Sequence, residues 1–291
     1  MHNFLGIILA LTALLCWGFG DFFIQKSTRI IGSYKALFFI GITGLVLLFP
    51  FIASEIFALN VMNWILLILL GAIVIFAALF DFEALRQGKI SIVEPLLGIE
   101  LPITVGLSVI LAQEKLFTAQ WILIAIIFIG IIMAITIHHA HLHYHKRLFE
   151  KGAILAGIGA IGMALTNFLV GISSQQISPL MTIWFTHTCA AIVMFIILIG
   201  KKEIKNIFYD FKKQPALFGA MSAIDNMAWV AFGYATTLIP ISIAATISES
   251  YIVLASALGI YINKEKLKTH QIIGIILAIG GVLLLSAITS K

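Results

Sequence analysis

The chain of 291 residues is 61% apolar and 11% charged, with a formal net charge of +5 at pH 7. Soluble domains carry about a quarter charged residues, so this composition excludes a soluble domain, which would need a charged surface that is missing here. The lysines sit in short stretches between apolar runs, a distribution that records membrane orientation and argues against a nucleic-acid partner.

The apolar runs are continuous, which predicts membrane-spanning helices rather than barrel strands that alternate and are about half as long. Residues 152–200 contain no Asp, Glu, Lys or Arg, enough for two spans at about 20 residues each. Ten helices are expected, at 4–25, 35–54, 62–84, 91–112 and 118–138, then 152–174, 180–200, 215–237, 241–262 and 269–289. The fold class is an all-α membrane protein in a single integral membrane unit.

Ionisable groups inside spans cost about 2.5–3.5 kcal/mol each on insertion scales and are the first candidates for function. The first helix has no basic leader and no small-residue cleavage site, so it reads as part of the mature protein. It carries Trp17 and Asp21 at a spacing of four. Gly41 and Gly44 mark the second helix as closely packed. The third ends in Asp81 and Glu83 beside Arg86 and Lys89, which reads as a boundary salt-bridge cluster. The fourth holds Glu94 and Glu100 with Pro95 and Pro102 close by; proline kinks a helix and frees a carbonyl. Glu94 and Glu100 are six apart and point to different sides, with Glu100 the deeper.

After the fifth helix comes HHAHLHYHKR, in which His139, His141 and His143 alternate as weak candidate metal ligands. The sixth helix has a small-residue series at Gly152, Ala156 and Ala160, followed by Asn167. The seventh contains His187, a hydrogen-bonded core residue or a proton relay. In the eighth, Asp225 and Trp229 share a face, and an acid beside an indole suits a cation with an apolar body. In the ninth, Ser242, Thr246 and Glu249 lie close to one face, with Glu249 deep in the span. Cys16 and Cys189 lie in spans and read as small packing residues. No P-loop, GxSxG elbow, paired-cysteine zinc site or nucleotide fingerprint is recognisable, so neither an enzyme nor a cofactor is expected.

The chain also contains itself twice. Ala84–Gly130 matches Ala235–Gly281 without a gap, placing Ser91 on Ser242 and Leu107 on Leu258. Glu114-Lys115-Leu116 falls on Glu265-Lys266-Leu267, and Thr118 and Gln120 fall on Thr269 and Gln271. Upstream the register shifts by five, and Asp21-Phe22 falls on Asn167-Phe168. Halves at 1–145 and 146–291 would hold five helices each, an odd number, so the second enters the membrane from the opposite side. That is an inverted repeat, which commonly encloses a pathway.

Lys and Arg set the orientation. They concentrate between helices 1 and 2, 3 and 4, 5 and 6, 7 and 8, and 9 and 10, while the opposite face has Lys115 and Lys291. The rich face is expected in the cytoplasm, with both termini outside.

Two five-helix halves, each with a Glu-Lys-Leu turn after its fourth helix and a glycine-bearing last helix (Gly130; Gly274, Gly280 and Gly281), together with Trp17-Gly18 early in the first, resemble the EamA branch of the drug/metabolite transporter superfamily. The resemblance covers nearly the whole chain. It implies export of small metabolites, often amino acids, through a central cavity lined mainly by helices 1, 3, 4, 6, 8 and 9. Many members look as if both termini are cytoplasmic, whereas the lysines here point the other way.

The expected function is a multi-pass secondary transporter of the cell (inner or plasma) membrane, exporting amino acids or related amines by alternating access. The lipid bilayer and a small-molecule substrate are its expected partners, and the assembly is a monomer or homodimer. Glu249, Glu100, Asp225, Trp229, Trp17, Thr246, Asn167 and Asp21 are expected to bind substrate. Glu249, Glu94 and His187 are the proton-coupling candidates, because a carboxylate held away from water is favoured in its neutral form. A divalent-cation carrier entered through the histidine tract is the alternative, and a membrane-embedded lipid enzyme a lesser one.

Overall fold

A computed structural model describes residues 2–88, 93, 96–135, 146–262 and 268–290, and among them the chain is helical with no strand. The long helices are α1 (His2–Ile31), α2 (Ser33–Ile52), α3 (Val61–Gln87), α5 (Thr118–Ile135), α6 (Lys146–Gln176), α7 (Pro179–Gly200), α9 (Pro215–Leu238) and α12 (Thr269–Thr289). Shorter ones are α4 (Glu100–Ile110), α8 (Ile207–Lys213), α10 (Ile241–Glu249) and α11 (Tyr251–Ile262). Local chemistry starts several of them. Asn60 caps α3 by accepting from the Asn63 amide at 2.9 Å, and Ser178 caps α7 by accepting from Met181 at 3.1 Å, with Pro179 following in the first turn.

Seven described helices are long and apolar enough to cross a membrane. The expectation of ten continuous spans is therefore met only in part, for a physical reason in each case. Helix α9 is long enough, but Asp225 and Asn226 at its centre lower its hydropathy. The predicted fourth and ninth spans are interrupted: a turn at Gly98–Ile99 precedes α4, and Ser250 separates α10 from α11.

Several boundaries move. Helix α1 runs well past residue 25, and the expected loop after it shrinks to Gly32, whose φ of 83° is open to glycine at little cost. Lys35, at the expected start of the second helix, is buried inside α2 and pairs with Asp210 at 2.8 Å and Glu203 at 3.3 Å. Burial alone would raise the Asp210 carboxyl, but the Lys35 and Lys213 ammonium groups outweigh it and hold Asp210 below the usual carboxylate range. This pair is therefore intact at neutral pH, and on the acid side its stabilisation is lost as the pH falls through that lowered value.

The most extensive helix contacts join the two halves of the chain: α1 with α9, α3 with α6, α2 with α7, and α5 with α12. Small residues allow the close approaches. A Cβ on Gly130 would lie 2.6 Å from the Ala278 nitrogen, and one on Gly41 would lie 2.8 Å from the His187 carbonyl oxygen. In lipid there is little hydrophobic drive between helices, so backbone-to-backbone packing of this kind supplies the association.

Candidate functional site

These cross-half pairs surround a cavity lined by α1, α2 and α3 on one side, by α6, α7 and α9 on the other, and by the interrupted helices α4, α10 and α11. About 60 Å³ of it is open to water centres, room for several waters at roughly 10–15 Å³ each. Its ionisable lining is Asp21, Asp81, Glu100, Asp225, Glu249 and His187. Each of these side chains is at least nine-tenths buried.

Both helix interruptions fall at the cavity, and they fall at equivalent places in the repeat. The gapless match puts Gly98 on Glu249 and Ile99 on Ser250, which are the turn before α4 and the break between α10 and α11. Glu100 opens α4 and Glu249 closes α10, so each acid stands at a helix end inside the protein. Each break adjoins the cavity lining, through Glu100 in one case and Glu249 and Tyr251 in the other, the kind of setting in which non-helical backbone is tolerated within a membrane.

Glu249 accepts a hydrogen bond from the Asn167 amide at 2.8 Å, while its second oxygen has no partner. Asp81 is electrostatically close to Asp21, Asp225 and Glu249, and its Oδ1 is likewise without a partner. Facing these acids is an aromatic wall. Trp17 meets Trp229 edge-on at 5.0 Å between ring centres and meets Tyr251 at 5.9 Å.

His187 is held by Asn226. The Asn226 amide nitrogen donates to the Ile40 carbonyl at 3.1 Å and to the Ser222 carbonyl at 2.8 Å, so its oxygen faces His187 Nδ1 at 2.8 Å. That nitrogen must then be the donor, which leaves Nε2 as the acceptor in the neutral ring. Gly44 makes room for the arrangement: a Cβ there would come 2.5 Å from the Asn226 oxygen.

Trp17, Asp21, Glu100, Asn167, His187, Asp225, Trp229 and Glu249 thus come together as one lining. Thr246 does not join it; its hydroxyl donates back to the Ser242 carbonyl at 2.6 Å. Glu94 and the tract containing His139, His141 and His143 lie outside the described residues. The boundary salt-bridge cluster expected at the end of the third helix is divided. Glu83 bonds Arg86, Gln87 and Ser33, whereas Asp81 turns into the cavity. A spacing of two puts Asp81 and Glu83 on opposite sides of a helix, and α3 continues to Gln87, which leaves Asp81 well inside it.

The first Glu-Lys-Leu turn gains a role. Glu114 reaches across to the other half and accepts from the Ile241 and Ser242 amides at 2.5 and 3.0 Å and from the Ser242 hydroxyl at 2.6 Å. It satisfies the exposed amides at the start of α10, the helix that ends at Glu249. Glu114→Ala is expected to lower stability by about 1–3 kcal/mol, the cost of stranding donors that bond a charged acceptor. Thermal unfolding in detergent measures this, and an unchanged midpoint would remove the capping role.

A lining of acids and indoles is chemically suited to a small cationic or protonatable guest. An uncharacterized protein of Methanocaldococcus jannaschii is 33% identical over 138 residues, a match covering 44% of this chain and 93% of that one. That relative is thus about half as long, the size of a single repeat. A crystal structure of another protein superposes over 98% of this chain and 99% of its own with a TM-score of 0.64 at 14% identity, a likeness of fold alone. The EamA-like transporter family matches twice, over residues 4–136 and 150–287. With nearly all of its length taken up by those two matches, the chain belongs to the EamA-like transporter family, within the drug/metabolite transporter superfamily.

Proposed function

We propose that this membrane transporter is a secondary carrier that exports amino acids or related amines by alternating access, with protons moving on its cavity carboxylates. One observation carries the reading: acids and aromatics from both halves converge on a cavity with room for several waters. In this reading the halves 1–145 and 146–291 are inverted five-helix repeats. The fourth and ninth spans are broken at the site, and α9 crosses the membrane despite its polar centre. The cross-half pairing supports this, because α1 with α9 and α3 with α6 are the same pair with the halves exchanged. Interrupted helices at matching positions of two halves are a recurrent way to build a transporter site.

Glu249, Glu100, Asp225 and Asp21 supply negative charge, Asn167 orients Glu249, and Trp17 and Trp229 form the apolar wall. Rocking of the halves opens this site to each side in turn. Glu249 and His187 are the described residues best placed to exchange protons. The protein resides in the cell membrane with its termini outside, so a reporter fused after Lys291 is expected to score extracytoplasmic.

The test is counterflow by purified protein in lipid vesicles across a panel of amino acids and amines, with and without a proton gradient. Accumulation that grows with the gradient is expected. No accumulation of any panel member would remove the transporter reading, and indifference to the gradient would remove proton coupling alone.

A further inference from the structure

The cavity is asymmetric in hydrogen-bonding chemistry. Three of its buried side-chain oxygens lack a partner: Asp81 Oδ1, Asn167 Oδ1 and Glu249 Oε2. All three can only accept when the acids are charged. Unpaired buried acceptors are costly, so they mark where a donor is missing. A primary ammonium carries three donors and no acceptor, and the nearby indoles offer it the face or edge of an apolar wall.

The converse matters as much. Among the described residues, the lining contains no Lys and no Arg. His187 spends its Nδ1 proton on Asn226. The helix starts that reach the cavity carry acids nearby, not bases, since α4 opens on Glu100 and α11 follows Glu249 across a single residue. With His187 neutral, a bound carboxylate would therefore find no positive group and would meet several acids. A resident metal does not fill the gap either, because among the described residues no three His, Cys, Asp or Glu side chains form a metal-sized group.

We propose that the cavity selects organic amines lacking a carboxylate over the α-amino acids that differ from them by that one group. This rests on the transporter reading and narrows its substrate class. Asp81, Asn167 and Glu249 receive the ammonium group, and Trp17 and Trp229 contact the alkyl or aryl body. Amino acids bind weakly because their carboxylate has nowhere to go.

Matched pairs isolate the carboxylate. Cadaverine and lysine differ only by it, as do tyramine and tyrosine. In vesicle counterflow, each amine is expected to reach half-saturation at a concentration at least tenfold below its amino acid. Asp81→Asn is expected to erode that preference. Should Asp81→Asn fail to fold, quenching of wild-type tryptophan fluorescence by cadaverine, and not by lysine, carries the same comparison. Equal or better handling of the amino acids overturns the proposal and leaves the transporter standing. So does uptake of other panel members while both pairs stay inert. Silence across the whole panel removes the transporter reading, and this inference with it.

Discussion

Glu249→Gln is expected to cut flux at least tenfold while leaving the fold intact. Glutamine keeps the shape of the side chain and a carbonyl oxygen, so the 2.8 Å bond from the Asn167 amide survives. What disappears is the charge, together with the free acceptor at the second oxygen, which is replaced by a donor. A hydrogen bond to a charged group is worth about 1.5–3 kcal/mol, which corresponds to roughly a tenfold to hundredfold loss in binding a cation. If flux is proton-coupled as proposed, the variant is expected to lose its dependence on the proton gradient as well. The measurement is counterflow at equal protein per vesicle, with thermal unfolding to confirm folding. Wild-type flux from a well-folded variant would sink the assignment of Glu249 to the site.

Gly274→Val is expected to produce the largest loss of stability. A Cβ at Gly274 would lie 2.7 Å from the Gly130 carbonyl oxygen and 2.8 Å from the Met133 carbonyl carbon. Both are backbone atoms, so no side chain can swing aside, and α12 must separate from α5. Overpacking costs about 1–3 kcal/mol where neighbours can adjust, and a rigid helix pair falls at or above the upper end. In a bilayer the lost contact is not recovered elsewhere, because lipid supplies no compensating hydrophobic drive. Gly157→Ala is the control. Nothing lies within 4 Å of a Cβ there, and alanine is favoured over glycine inside a helix by about 1 kcal/mol. Detergent-solubilised Gly274→Val should unfold at a clearly lower temperature, and Gly157→Ala at or above wild type. Equal midpoints for the two would contradict the close α5–α12 crossing.

Much of the site is legible in the order of residues. Asp21, Glu100, Asn167, His187, Asp225 and Glu249 stand out because polar groups in apolar runs are costly and need a reason, Trp17 and Trp229 because each lies four residues from an acid, and all eight line one cavity. Asp81 escapes that reasoning because its neighbours Glu83 and Arg86 offer a sufficient local explanation. A helical wheel on α3 separates them. The His187–Asn226 bond is hidden for a different reason, since its members lie 39 residues apart on different helices. The helix breaks are half visible: Pro95 and Pro102 flag the fourth span, but Ser250 carries no breaking residue type, and only the repeat register ties it to Gly98–Ile99.

Composition, apolar run length and the internal repeat are properties of consecutive residues. They suffice to mark out a helical membrane protein whose sequence repeats itself and whose apolar runs hold acids. Which acids meet, and which are tied off elsewhere, depends on the side each helix turns to partners far away in the chain. It took the packed helices to bring Asp81 into the cavity, to bury Lys35 in a pair with Asp210, and to carry Glu114 across to cap the helix bearing Glu249. The reason is that, in lipid, helix association is set by close packing and bonding between helices, which no local pattern encodes.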